Sequence, residues 1–176
     1  MRAILRDETR DPHDRIDGLM GDLALGPAQD YARFLEIQYR ARVPLERWLA
    51  ANLPADLVPP ASSGLVADDL LALNRPLPRT NGEFAAPPAG GLGVAWVVAG
   101  SSLGNRTILA QRQRRGLGGP DGFLSSTQMP AFFKRLLGVM DRSPAARDAG
   151  GPIGGAMVAF AWFEATARQE LGALAQ

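Results

Sequence analysis

The chain has no cysteine, a single histidine (His13) and a single lysine (Lys134). Without cysteine there is no disulfide, no thiolate nucleophile and no cysteine-held metal. With one histidine, no multi-histidine metal site forms within one chain, and any catalytic triad that needs an imidazole has only His13 to use. Arginine carries almost all of the positive charge among the 19 basic residues, which matters locally because a guanidinium makes forked contacts to carboxylates and an ammonium does not. The formal net charge is +1, so nothing in the bulk electrostatics favours nucleic acid or an anionic membrane as a partner. No apolar run reaches the roughly 20 residues of a membrane span. The opening MRAILRDETRDPHDR lacks the apolar stretch of a signal peptide, so the expected setting is a bacterial-type cytoplasm.

What is present suits one domain over residues 1–176. Hydrophobic residues make up 46% and charged residues 21% of the 176 positions, enough for a substantial core. Apolar positions recur at helical spacing, and no internal repeat or β-alternation interrupts them, which predicts an all-α fold of six to seven helices. Ile4, Leu5, Ile16, Leu19, Met20 and Leu23 mark the first helical region. Pro12 removes a backbone donor within it. Either a short lead-in segment precedes a main helix capped by Asp11, or one helix is kinked there. A second helix spans Ala28 to Asn52, bent or divided at Pro44. Leu65 to Leu73 is a short helix, and Arg75 to Gly91, rich in proline and glycine, is an irregular connection. A long helix runs from Leu92 to about Arg115, another from Ser126 or Thr127 to about Met140, and the last from Pro152 to about Leu174. The stretches Gly116–Gly122 and Ser143–Gly151 are loops.

Several charged features carry no site. Asp68 and Asp69 are consecutive on a helix and point in different directions, so they make no carboxylate pair. Gln111 to Arg115 reads as a solvated helix end favoured by the helix dipole. Gly116 to Gly122 lacks the lysine and hydroxyl of a phosphate loop.

The stretch WVVAGSSLGNR, Trp96 to Arg106, raises a sharper question. It places Gly100 and Gly104 on one face of the long helix, and each glycine costs about 1 kcal/mol relative to alanine there. Such a face admits close approach by another helix or by a flat ligand. His13, among Arg10, Asp11, Asp14 and Arg15, is either a solvated surface side chain or a neutral imidazole available to haem iron.

In order along the chain, these segments resemble the heme oxygenase family, particularly its short bacterial members. The resemblance is carried by Leu5-Arg6-x-x-Thr9-x-x-x-His13, by Tyr31-x-x-Phe34-Leu35 through Pro44-Leu45-Glu46, and most strongly by Gly100-Ser101-Ser102-Leu103-Gly104. It weakens after about residue 120. It implies a heme oxygenase-like helical fold with haem between the helices bearing His13 and the two glycines. His13 would be the proximal iron ligand. Gly100 and Gly104 would leave space for dioxygen, with Ser101 and Asn105 beside them. Arg6, Arg10, Lys134 and Arg135 are the candidate partners of the haem propionates.

The activity so implied is oxidation of haem to biliverdin, carbon monoxide and ferrous iron by dioxygen. Electrons would come from a ferredoxin or a reductase, and the product would serve iron acquisition or a bacteriophytochrome. The chain departs from many relatives at Pro12 and at Asn105, which stands where they carry a further glycine. It also offers no counterpart to the distal carboxylate of some branches. A catalytically inactive relative, acting as a haem or bilin sensor or as an interaction domain through Arg75–Pro88, is the alternative. A cofactor-free helical interaction domain is a third reading, in which the two glycines pack against a helix and His13 is exposed.

Overall fold

Pro12 decides how the chain begins. In a continuous helix its nitrogen would bond the Glu8 carbonyl, but proline has no N–H and its ring crowds that oxygen. The computed structural model, which describes residues 1–80, 82–142 and 149–172, breaks the helix at that point. Helix α1 covers Arg2–Glu8 and α2 covers Arg10–Ala24, joined at Thr9. Thr9 is buried, and its hydroxyl donates to the Leu5 carbonyl at 2.7 Å. The residue flanking α2 is therefore Thr9 rather than Asp11, and Pro12 lies inside the first turn, where a missing donor is harmless.

Helix α3, Ala28–Asn52, runs unbroken through Pro44. Trp162 donates its indole N–H to the Ala41 carbonyl at 2.9 Å, adding a bond to the turn that the proline weakens. Then come α4 (Ser63–Ala72), α5 (Gly91–Arg114), the single turn α6 (Gly122–Ser125), α7 (Gln128–Arg142) and α8 (Gly150–Gly172). Short 3-10 turns occupy Ala55–Leu57 and Pro88–Gly90. With α1 and α2 taken as one broken element there are seven helices, and no strand among the described residues. Turn α6 was not expected from the sequence. It forms because the buried Asp69 carboxylate of α4 accepts the Gly122 and Phe123 N–H groups at 3.0 and 2.9 Å. Burial raises the Asp69 pKa despite those two bonds. Most of the expected loop at Ser143–Gly151 lies outside the described residues, as does the expected end of the last helix at Leu174.

Helix α8 is the central support, packing against α1, α2, α3 and α5. One apolar cluster joins Leu5, Leu45, Val94, Val98, Phe132, Leu136, Met140 and Phe160; a second joins Tyr31, Phe34, Leu35, Val66, Leu70 and Phe123. Ile16 of α2 touches both. The irregular connection Arg75–Gly91 is fastened to this core by Phe84, whose ring meets Trp48 and Trp162 edge-on at 5.5 and 5.7 Å.

The tightest helix crossing is made by glycines that the sequence does not advertise. A methyl group on Gly93 would run into the Pro152 carbonyl, and one on Gly155 into the Gly90 backbone. Backbone contact of this kind leaves no flexible side chain to move aside. Gly93→Ala and Gly155→Ala are each expected to destabilise the protein by about 3 kcal/mol or more, the upper end of overpacking effects. Chemical denaturation of the purified variants checks this.

Candidate functional site

The glycine motif lies elsewhere on α5, on a face approached only by the Phe133 side chain of α7. A methyl group at Gly104 would meet nothing within 4 Å, and one at Gly100 would only touch the Phe133 ring at 3.6 Å. Neither glycine packs against the backbone of another helix of this chain among the described residues. Leu103, between them, is 55% exposed, while the opposite side of α5 buries Val94, Ala95, Val98, Ala99 and Ser102. The result is an open strip of bare backbone with an apolar side chain at its edge. A flat apolar molecule fits such a strip and is not repelled by it.

His13 is exposed on α2. Its Nδ1 lies 3.3 Å from an Asp17 carboxylate oxygen, one helical turn on, and 3.9 Å from Asp14. Its ring meets Phe160 of α8 edge-on at 6.0 Å. An imidazole whose Nδ1–H faces a carboxylate keeps its Nε2 lone pair for a metal, the arrangement usual in histidine ligation. This donor set fits a single axial bond to haem iron. It does not fit a protein-held metal ion, because no cluster of three or more His, Cys, Asp or Glu side chains exists among the described residues. Asp17, one turn along α2, is thus the carboxylate closest to Nδ1. Helices α2 and α5 are both held by α8.

Ser101 and Asn105 point to a different neighbourhood from the glycines beside them. They line a small cavity of about 10 Å³ together with Arg42, Ser62, Ser102, Ser126, Phe123 and Met129. Ser101 Oγ donates to the Val98 carbonyl at 2.7 Å and accepts from Arg42 Nη2 at 2.8 Å. Arg42 is 1% exposed, and sequence reasoning missed it. Its signal was positional: Tyr31, Leu35, Gln38, Arg42, Leu45 and Leu49 form one stripe of α3, with a glutamine and an arginine at apolar register positions.

The cationic candidates are dispersed. Arg6 and Arg10 are exposed and both reach Asp7, at 3.7 and 3.1 Å. Lys134 and Arg135 of α7 line a cavity of about 540 Å³ with Arg142, Asp56, Leu57 and Leu136. Neither His13 nor Gly100 borders it. The structure therefore groups Ser101 with Asn105 and Lys134 with Arg135, but it does not gather the four cations around His13. Arg112, expected at a solvated helix end, is instead buried. It lies 3.7 Å over the Tyr31 ring and donates to the Ala24 and Gly118 carbonyls at 2.7 and 2.9 Å. Burial of the hydroxyl, reinforced by the Asp69 charge, strongly raises the Tyr31 pKa, and the Arg112 cation opposes that shift.

The helical arrangement defines the class: this is the all-α heme oxygenase fold. A solved structure similar to this chain is the heme oxygenase from Neisseria meningitidis, determined with NO and CO bound and discussed for oxygen activation. The two superpose with a TM-score of 0.78 at 21% sequence identity, over 97% of this chain and 91% of the other. No family model matches the sequence, and no curated protein matches it. No helix among the described residues is long and apolar enough to cross a membrane.

Proposed function

We propose that the protein is a heme oxygenase, converting haem to biliverdin, carbon monoxide and ferrous iron with dioxygen and electrons from a separate ferredoxin or reductase. The observation that carries this reading is the open backbone face of α5. Two glycines are kept in a helix interior, against propensity, where no protein atom needs the space. A ligand that lies flat against the helix does need it, and the fold is one in which haem oxygenases are built.

Haem, when bound, is both the substrate and the iron centre at which dioxygen is reduced. The chain's own residues hold and shape. His13 would offer Nε2 to the iron, with the Asp17 carboxylate beside Nδ1 to orient the ring. Phe160 supports the imidazole edge, and Phe133 floors the strip beside Gly100. Gly100 and Gly104 would leave room beside the helix for haem and a small ligand. Ser101 and Asn105, the next residues along the helix, would act on that space indirectly, through the neighbouring Arg42 cavity, in place of a carboxylate. Arg6 on α1 and Arg10 on α2, the helix that carries His13, would serve the propionates. Lys134 and Arg135, at their separate cavity, are the second choice for that role. The biliverdin product would pass to iron recovery or to a bacteriophytochrome in the cytoplasm.

Absorption titration of the purified protein with ferric haem tests the reading. A Soret complex saturating at one haem per chain is the expected result; no saturable complex would refute it. In the same titration Asp17→Ala is expected to weaken haem binding by about 10-fold or more, because a ligating histidine loses its orienting partner.

A further inference from the structure

Arg42 is a buried positive charge, bonded to the residue after Gly100, with no carboxylate in contact. Its Nε donates to Gln38 Oε1 at 2.9 Å, Nη1 to Ser62 Oγ at 3.0 Å and Nη2 to Ser101 Oγ at 2.8 Å. The faces of the guanidinium lie near Phe123 and Phe163, at 4.8 and 5.8 Å from their ring centres. Every one of these partners is neutral. The nearest carboxylate, Glu46, spends its oxygens on the start of α4, accepting from the Ser62 and Ser63 N–H groups and both hydroxyls. Burial lowers the Arg42 pKa to about 10, and Glu46 opposes that shift, so the side chain stays charged at neutral pH.

A buried cation without a direct counter-ion is expensive, and replacing it with an apolar side chain often stabilises a protein. Its retention here calls for a use. Three hydrogen bonds leave part of the guanidinium's donor capacity free. The adjoining cavity is lined by Arg42, Ser62, Ser101, Ser102, Asn105 and Ser126 with Phe123 and Met129 on its apolar side, and it has room for about one water molecule and polar partners to hold it. On α5, Ser101 and Asn105 are the residues immediately following Gly100 and Gly104. The charge and the cavity are therefore tied to α5 one residue along the helix from each glycine of the open strip.

We infer that Arg42 is a positioning residue for that strip: it holds Ser101 and one ordered water, and its buried charge makes the strip favour an anionic ligand over a neutral one. This rests on the heme oxygenase reading. The low dielectric of the surroundings makes a charge in this place act more strongly than the exposed arginines of α1 and α2.

Two experiments test it. The first is a high-resolution crystal structure of the ligand-free protein, in which one water should bridge Arg42 to Ser101 or Asn105; a dry cavity overturns the proposal. The second measures azide and imidazole binding to the ferric haem complexes of wild type, Arg42→Met, Arg42→Lys and Ser101→Ala. Arg42→Met should bind azide about 10-fold more weakly and imidazole about as well as wild type, and Arg42→Lys should recover much of the azide affinity. Equal losses for both ligands, or none, would show that Arg42 only supports the fold. If Arg42→Met fails to fold, Ser101→Ala keeps the charge and removes the link, and a selective azide loss of a few-fold is expected; unchanged azide affinity overturns the proposal. A wild-type protein that takes up no haem removes both the functional reading and this role, whereas haem uptake without azide selectivity removes this role alone.

Discussion

His13→Ala should lose at least about 100-fold in haem affinity, more than removal of an outer-sphere partner costs. The Soret band of whatever haem still binds should shift, because an axial nitrogen has been replaced by water or by nothing. The chain has a single histidine, so no other imidazole can take over. The fold should not respond. His13 is exposed, with contacts only to Asp14, Asp17 and the edge of Phe160, and a surface truncation of this kind stays within about 0.5 kcal/mol. The truncation also opens a gap of imidazole size, so free imidazole in the buffer should restore part of the native spectrum. Unchanged haem affinity and spectrum in the variant would remove His13 as the ligand.

Gly104→Leu should show the opposite combination of effects from Gly93→Ala on the same helix. No atom lies within 4 Å of a methyl group placed at Gly104, and a leucine gains helix propensity over glycine. The variant should therefore be more stable by about 0.5–1 kcal/mol. Its side chain would occupy the strip on which a flat ligand lies. Haem degradation should fall by about 100-fold or more, the scale on which misplacing reacting groups by an ångström acts. A gain in stability together with a loss of activity is the pattern expected where a sequence breaks a local rule for function. Wild-type turnover in a folded Gly104→Leu protein would mean that the strip is not where the ligand sits.

The helices themselves were legible because their apolar positions repeat at the helical period and their ends are punctuated. The break at Thr9, one turn before Pro12, follows from a single missing N–H. Interactions between distant segments were not legible. The Gly100–Gly104 spacing was conspicuous, but the helix crossing is made by Gly93 and Gly155, whose partners lie on another helix far along the chain. Arg112 looked like an ordinary helix-end cation until Ala24, Gly118 and Tyr31 were brought around it. Asp69 looked idle because its task, capping the turn at Gly122 and Phe123, depends on a contact no local pattern encodes. At the candidate site, His13 and the glycines could be singled out by residue type and order. The partner of His13 follows from helical spacing to Asp17. Arg42 was hidden because an arginine on a helical stripe reads as an amphipathic edge until its burial is known.

The measurement that bears most directly on the whole account is conversion of the one-to-one haem complex in air after addition of a ferredoxin reducing system. The account predicts that the Soret band decays as a biliverdin band grows, with one carbon monoxide trapped per haem consumed. A haem complex that stays intact under those conditions, with a donor shown to reduce its iron, would contradict it.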